Sequence, residues 1–215
     1  MAITAQQVNE LRTRTGAGMM DCKKALVEAE GHMDKAVEVL QKKSLASVAR
    51  RADKVAAEGQ VMAYVHGGRI GVLVEINSET DFVGRSDDLG ELAKNVAMHI
   101  AAANPAYLDE SEIPEAVQAK QREIFLAQMA ESGKPAAMLD KIVDGKIRKW
   151  KGEICLLDQA YVRDPDKTVG QYVTEVASRI KENIKVRRFV RFELGEGIER
   201  AATDFAAEVA AQAGV

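Results

Sequence analysis

Residues 75–85 read Glu-Ile-Asn-Ser-Glu-Thr-Asp-Phe-Val-Gly-Arg, and the rest of the chain is organised around this stretch. It closes an apolar run typical of a β-strand and precedes a long segment with the apolar period of an α-helix. Such a junction exposes polar side chains on a rigid base, which favours a binding role. Phe82 is unusual, because it places a large apolar ring beside Asp81 in a polar turn. On these residues alone, Phe82 either folds back into the core or faces a partner.

The segment before this junction predicts a β-hairpin over residues 60–76. Its two glycines at 67–68 form a two-residue loop of the kind that favours primed turns. If His66 and Arg69 flank that loop as a pair, one face of the hairpin carries six small or apolar residues: Val61, Ala63, Val65, Ile70, Val72 and Val74. This alternation is expected of a half-buried hairpin, and Ile76 continues the same face.

Residues 184–194 predict a third strand that is distant in the sequence. Apolar and charged side chains alternate along it, so the predicted core face carries Ile184, Val186, Val190 and Phe192. Joined to the hairpin, this strand completes a three-stranded antiparallel sheet packed with helices. The predicted fold class is therefore α+β.

The N-terminal part of the chain predicts a bundle of three short helices followed by a basic linker. Thr4 and Gln7 have the spacing of a capping box at the first helix. Met19 and Met20 are adjacent and cannot both face one core, so we expect one to be buried and the other to be open to a partner. The basic run 41–54 is expected to be a solvated helix extension, with a phosphate-contacting patch as the alternative.

Further capping signals divide the rest of the chain. Ser86 predicts the start of a long helix that ends at Asn104, and Thr168 with Gln171 predicts another, for which Asn183 is the expected stop. Two more helices are expected between them. We therefore predict a three-helix module with its linker (1–54), an α+β core (55–194) and a C-terminal helical module (195–215), which either docks on its own core or serves as an arm for a partner.

Composition narrows the function. The chain has 30 basic and 33 acidic residues, a net charge of −3, which argues against a general nucleic-acid surface. The isolated cysteines Cys22 and Cys155 suit a reducing cytosol, and no signal peptide or membrane-length apolar run is visible. The sequence contains no phosphate-binding loop, no dinucleotide fingerprint and no nucleophile elbow, and its three histidines suggest no triad. We therefore expect a cytoplasmic binding protein, not an enzyme, without cofactor or metal.

Two long segments resemble the signatures of one family, bacterial elongation factor Ts. Residues 11–26 resemble its N-terminal signature, and residues 75–83 resemble its second signature, in the same order and at the same spacing. The likeness continues through residues 187–189 and 192–199, so it covers essentially the whole chain. Only one core subdomain is visible, as in the short form of that family.

The resemblance implies a translation factor that acts as guanine-nucleotide exchange factor for the GTPase elongation factor Tu. It implies that the N-terminal module is similar to a ubiquitin-associated domain and docks on the nucleotide domain of the GTPase, and that Asp81 and Phe82 insert near its magnesium site. The residues that it assigns to partner binding are Arg12, Met19, Met20, Lys23, Arg51, Asp81, Phe82, Phe205 and Val209. Longer members hold two core subdomains, so we expect a second copy to supply the missing half, giving a homodimer in a 2:2 complex. From the balanced charge and the lack of a membrane-length apolar run, we expect no direct contact with nucleic acid or membrane.

A competing hypothesis is a ribosome- or RNA-associated protein. The basic stretch 146–151 contains Trp150, and an aromatic ring among cations can bind RNA by stacking. Trp150 also lies eight residues after Ile142, which favours a buried helix face instead.

Overall fold

The computed structural model describes residues 3–129 and 136–198. In these residues the chain forms eight α-helices, α1 (Ala5–Thr15), α2 (Met19–Glu28), α3 (Met33–Arg51), α4 (Asp81–Gly84), α5 (Asp87–Ala103), α6 (Glu115–Met129), α7 (Ala136–Ile154) and α8 (Val169–Ile180). The strands are β1 (Glu58–His66), β2 (Ile70–Ser78), β3 (Ala160–Tyr161), β4 (Asp164–Thr168) and β5 (Lys185–Glu193), and a short 3-10 helix covers Glu110–Glu112. The fold class is α+β, as predicted.

The first three helices enclose a small core of their own. The predicted capping box is present at α1, where the Thr4 side chain accepts from the Gln7 N–H and the Gln7 side chain accepts from the Thr4 N–H. The buried side chains of this cluster are Val8, Leu11, Cys22, Ala25, Leu26, Ala29, Ala36 and Leu40. Helix α3 continues past this cluster, and Val48 packs against the larger core that follows. The predicted helix extension is thus present and links the two clusters.

The larger core lies between a three-stranded antiparallel sheet, in the order β1-β2-β5, and helices α5 and α8. Ser86 caps α5, and Asn104 ends it in the left-handed conformation at φ 47°, both as predicted. Helix α8 starts at the predicted capping box but ends at Lys181, at φ 66°, so the expected stop at Asn183 is wrong. Asn183 is instead buried and bonds to the end of the N-terminal module, as described below.

The predicted pairing of β1 with β2 is wrong by one residue. The observed ladder pairs His66 with Ile70 and Tyr64 with Val72, so the loop has three residues and Arg69 stands outside the ladder. Gly67 and Gly68 occupy left-handed conformations, and the Arg69 N–H donates to the His66 carbonyl at 3.0 Å. A slip of one residue moves every side chain of a strand to the opposite face. The core face of β1 therefore carries Met62 and Tyr64, while the predicted Val61, Ala63 and Val65 point outward.

The predicted core face of β5 is also partly wrong, because a bulge interrupts the strand. Ile76 pairs with Val186, whereas Glu75 pairs with Arg188, so Arg187 is an additional residue in β5. Val186 faces the core as predicted, but Phe189 takes the next core position. Val190 and Phe192 lie on the outer face with the outward residues of β1.

The sheet is consequently apolar on both faces. Opposite the helices, five large apolar side chains are exposed, with Phe192 69% and Val65 68% accessible: Val61, Val65, Leu73, Val190 and Phe192. The register places Leu73 between Ala63 on one side and Val190 on the other, so these residues form one continuous patch across three strands. We call this patch the outer sheet face.

Helices α6 and α7 pack against each other as an antiparallel pair. Arg122 bonds to Asp140 and Asp144 across the pair, and the Lys146 ammonium lies 5.4 Å from the centre of the Phe125 ring. Of the basic stretch in the RNA-binding hypothesis, Lys149 pairs with Glu153, and Lys151 pairs with Glu110 at 3.0 Å. Lys151 is therefore engaged within the chain, whereas the exposed Lys149 pair contributes little. Among the described helices, none is both long and apolar enough to cross a membrane.

Candidate partner-binding site

The turn at the end of β2 presents Phe82 to solvent. Helix α4 is a single turn, capped by the Thr80 hydroxyl, which accepts from the Val83 N–H at 3.3 Å. The Phe82 side chain is 83% exposed, whereas Val83 is buried against the larger core. The core position that Phe82 could have taken is filled by its neighbour. An exposed ring on a capped turn is costly to leave in water and favours a partner that receives it.

The turn packs directly against the backbone of β1. A Cβ atom added to Gly84 would lie 3.0 Å from the backbone nitrogen of Gly59 and 3.1 Å from its Cα atom. Gly59 itself has φ 131°, and a Cβ there would meet the Ile76 carbonyl oxygen at 2.1 Å. Gly84 therefore allows α4 to approach β1 more closely than other residues could, and Gly59 allows β1 to lie close to the backbone of β2 at that point. This contact fixes the direction in which Phe82 points.

A carboxylate from the end of α8 holds the residues before the turn. The Glu182 Oε2 atom accepts from the backbone N–H groups of Glu79 at 3.1 Å and Thr80 at 3.2 Å, and its Oε1 atom accepts from the Thr80 hydroxyl at 2.7 Å. Sequence reasoning missed Glu182, because the two segments lie more than 100 residues apart and no local pattern links them. Charge-assisted hydrogen bonds are roughly twice as strong as neutral ones, so three of them make a firm support.

Glu79 connects this turn with the N-terminal module. Its carboxylate accepts from Arg51 Nη1 at 2.9 and 3.0 Å, and from the Asn183 N–H at 2.7 Å. The Asn183 N–H and the Arg51 guanidinium lower the pKa of Glu79 against the opposing effect of desolvation. Arg51 is thus a predicted contact residue that the structure places in a partly buried, long-range contact within the chain.

Asp81 remains available for a partner. Its side chain is largely exposed, and its nearest cation is Arg85 at 3.3 Å, one helical turn later. An exposed pair of this kind contributes little and is easily exchanged. Asp81 and Phe82 therefore place a carboxylate and an aromatic ring side by side on a rigid support.

The predicted contact residues of the N-terminal module are all exposed. Arg12 lies at the end of α1, and Met19, Met20 and Lys23 lie on the first turns of α2. The expectation that one methionine is buried is wrong, because Met19 is 52% and Met20 63% exposed. The buried stripe of α2 begins only at Cys22.

A shallow groove on α2 adds to this surface. It is lined by Met20, Lys23, Lys24, Val27 and Glu28, so an apolar floor is rimmed by charges. Asp21 also pairs with Lys181 at 3.5 Å, which brings the start of α2 close to the loop that holds Glu182. The two predicted contact surfaces are therefore connected through the end of α8.

Two predicted contacts, Phe205 and Val209, lie outside the described residues. Within the described part, no group of three or more His, Cys, Asp or Glu side chains is arranged to hold a metal ion. The buried His99 has a structural role, since its Nε2 atom is bonded to Gln159 at 2.9 Å and its Nδ1 atom accepts from the Val162 N–H. The described site consists of the Asp81 carboxylate, the exposed Phe82 ring and the groove on α2.

Comparison with known proteins gives a consistent result. The family model described as "Elongation factor TS" matches residues 5–196. The chain is similar to "Elongation factor Ts" of Alkaliphilus oremlandii, with 55% identity over 99% of this chain and 98% of that protein. It is similar to the proteins of the same name from Geobacter sulfurreducens, with 54% identity over the full length of both, and from Carboxydothermus hydrogenoformans, with 55% identity over 97% of each.

Proposed function

The chain belongs to the elongation factor Ts family of translation elongation factors, and we propose that it is a guanine-nucleotide exchange factor for elongation factor Tu. The observation that carries this proposal is Phe82, 83% exposed on a turn that is fixed from three sides. The chain acts by binding, in the cytoplasm, with no catalytic residue or cofactor of its own.

The proposed mechanism is differential binding. Nucleotide affinity in such GTPases depends on Mg²⁺ and on groups that hold the phosphates. An exchange factor must bind the nucleotide-free state more tightly than the loaded state, and this difference in affinity loosens GDP. Phe82 enters between the elements that hold the metal site, while Asp81 brings a negative charge toward the metal and phosphates. Because the turn that carries Phe82 is held in place, binding changes the conformation of the GTPase and not that of the factor.

The N-terminal module supplies the docking surface. Met19 and Met20 offer flexible apolar contacts, and Arg12 and Lys23 provide charges at the edge of the same surface. Phe205 and Val209 are proposed to contribute from the C-terminal module. Linkage makes the effect reciprocal, so GTP and aminoacyl-tRNA weaken binding of the factor in turn.

The direct test is GDP release from elongation factor Tu, followed in a stopped-flow instrument with a fluorescent GDP analogue. We expect Phe82→Ala to slow release about 30-fold, the scale of a binding hot spot. Because the ring is exposed, the thermal unfolding of the Phe82→Ala variant should match that of the unmodified chain. Val55→Ala, at another highly exposed apolar residue, serves as the control and should leave release unchanged. Equal rates for Phe82→Ala and Val55→Ala would contradict the proposal.

We further propose that a second copy covers the outer sheet face, giving a homodimer that binds two GTPase molecules. A continuous apolar patch on three strands is the kind of surface that another sheet covers. Its border is polar, because Glu75 lies on the same face and bonds to Arg187 and Arg188. An apolar centre with a charged rim is typical of protein interfaces.

Sedimentation velocity tests the dimer. We expect a dimer at micromolar concentration that dissociates in Phe192→Asp, because a buried carboxylate without a partner opposes association. Leu45→Asp places the same charge on an exposed apolar residue of α3 and should remain dimeric. A monomeric unmodified chain at that concentration would disprove the dimer and leave the exchange proposal intact.

A further inference from the structure

We propose that Arg51 and Glu79 form a positioning pair, whose contact fixes the three-helix module relative to the Phe82 turn so that both surfaces meet elongation factor Tu already aligned. The inference deepens the proposed function and rests on it for the identity of the partner. It assigns Arg51 a role through Glu79 and not through direct contact with the GTPase.

The pair joins the end of the N-terminal module to the residues just before the Phe82 turn. Arg51 is the last residue of α3, the helix that carries the core residue Leu40 of the N-terminal module. Glu79 lies two residues before Asp81. The Arg51 Nη1 atom lies 2.9 Å from one carboxylate oxygen of Glu79 and 3.0 Å from the other, and the Glu79 side chain is only 16% exposed. A partly buried ion pair is screened less by solvent than an exposed one.

Asn183 reinforces the same connection. It is 3% exposed, its backbone N–H donates to Glu79, and its side-chain amide donates to the carbonyl groups of Ala52 at 3.3 Å and Lys54 at 2.7 Å. The Lys185 ammonium donates to the Ala52 carbonyl at 3.0 Å. The segment between α3 and β1 is therefore held against the core immediately after Arg51. Glu79 occupies the centre of this arrangement, because it bonds to both Arg51 and Asn183.

The Phe82 turn keeps its own supports when this pair is removed. Glu182 bonds to the backbone of Glu79 and Thr80, the Thr80 hydroxyl caps α4, and Gly84 rests on Gly59. Loss of the Arg51–Glu79 contact should therefore leave the shape of the turn intact. It should change the freedom of the N-terminal module relative to that turn.

That freedom affects binding through preorganisation. Two contact surfaces on one rigid body engage a partner in a single event, whereas surfaces joined by a loose connection lose conformational freedom when the second one binds. The effective concentration of the second surface also falls when the connection loosens. Weakening the pair should therefore raise the factor concentration needed for half-maximal exchange and leave the maximal rate nearly unchanged, since Phe82 itself is unaltered.

A double-mutant cycle separates this role from direct contact. The variants are Arg51→Ala, Glu79→Gln and their combination, and the measurement is the GDP release rate of elongation factor Tu over a range of factor concentrations. We expect each single variant to raise the half-saturating concentration about three- to tenfold, and the double variant to lie within about twofold of the weaker-binding single variant. Arg51→Lys should recover part of the loss, because an ammonium can still pair with Glu79.

Matched controls come from neighbouring residues. Arg50→Ala removes the same charge from the same turn of α3, where the Arg50 side chain donates to the Ala46 carbonyl one turn earlier in its own helix. Glu91→Gln removes a carboxylate from the exposed side of α5. Both should bind the GTPase like the unmodified chain, and circular dichroism verifies the fold of every variant.

A second readout needs no partner. Trypsin should cleave after Lys54 several-fold faster in Glu79→Gln than in Glu91→Gln. Weaker bonds from residue 79 to Arg51 and to the Asn183 N–H loosen this connection, although Asn183 and Lys185 still hold the carbonyl groups of the segment. Equal cleavage rates would overturn the inference. It would also be overturned if Arg51→Ala had as large an effect on the half-saturating concentration in the Glu79→Gln background as in the unmodified chain, because that result would indicate that Arg51 contacts the GTPase directly. Failure of the proposed function would look different, since the unmodified chain would then not accelerate GDP release at all.

Discussion

Replacement of Gly84 by alanine tests whether the Phe82 turn depends on close backbone packing. The added Cβ would lie 3.0–3.2 Å from three backbone atoms of Gly59, where van der Waals contact normally begins at 3.4 Å. The turn must move away by several tenths of an ångström, because backbone atoms cannot rotate aside as a side chain can. Overpacking of this kind costs about 1–3 kcal/mol, while alanine gains up to about 1 kcal/mol over glycine in a helix. We therefore expect a net loss of about 1 kcal/mol.

Gly90→Ala is the matched control, because its Cβ would meet only a side-chain atom of Gln60 at 3.8 Å. That variant should gain the helix propensity without a clash, so the two variants should differ by about 2 kcal/mol, or about 4–8 °C in melting temperature for a chain of this size. Thermal unfolding followed by circular dichroism measures the difference. In the stopped-flow assay, Gly84→Ala should also slow GDP release and Gly90→Ala should not. If Gly84→Ala is as stable and as active as Gly90→Ala, the turn does not require this contact.

Three further predictions concern the core and its titrating groups. In the Phe192→Asp background, where the outer sheet face stays uncovered, Phe189→Ala should lower the free energy of unfolding by about 2–3 kcal/mol in a urea titration, and Val190→Ala by less than about 1 kcal/mol. The bulge at Arg187 turns only Phe189 toward the core, so similar losses would refute the bulge. Burial lowers the pKa of His99 below its ordinary 6.5, so the folded state favours the neutral ring, and stability should fall as pH drops below about 6.5 but fall less in His99→Gln. Hydrogen bonds from Arg187 and then Arg188 lower the pKa of Glu75 from 4.5 to about 2. The stabilisation from the ionised Glu75 carboxylate is therefore complete above pH 4.5 and is lost as pH falls toward 2. Urea titrations across this range should show a weaker pH dependence of stability in Glu75→Gln.

Local signals could be predicted well from the sequence. Thr4, Ser86 and Thr168 each act as the helix cap that their spacing predicts, because a cap depends on residues three positions apart. Asn104 ends its helix for an equally local reason, since asparagine tolerates the left-handed conformation. The three strands of an antiparallel sheet also follow from local apolar patterns, together with a short hairpin loop, but the position of β5 beside β2 does not.

The exposure of the predicted contact residues does not follow from local patterns. The pattern leaves Phe82 with either a core or a partner-facing position, and it wrongly predicts that one of Met19 and Met20 is buried. Glu182 supports the Phe82 turn from more than 100 residues away, and Arg51 reaches Glu79 from another helix. Neither contact leaves a periodic trace, because one polar side chain that finds a distant partner does not alter the pattern of its own segment. Long-range supports of this kind therefore cannot be predicted from local sequence patterns.

The two errors in strand register have one physical cause, and that cause supports the proposed dimer. Period-two reasoning assigns apolar side chains to the core because it assumes that the other face of the strand is polar. Val65 and Phe192 violate that assumption: each is apolar, and each is shifted to the outer face by one additional residue, Arg69 in the loop and Arg187 in the bulge. A solvated face would not need these residues, and in water they raise the risk of nonspecific association. A second apolar face is explained if another sheet covers it, so the pattern that misleads the assignment of the core coincides with the surface proposed for a second copy.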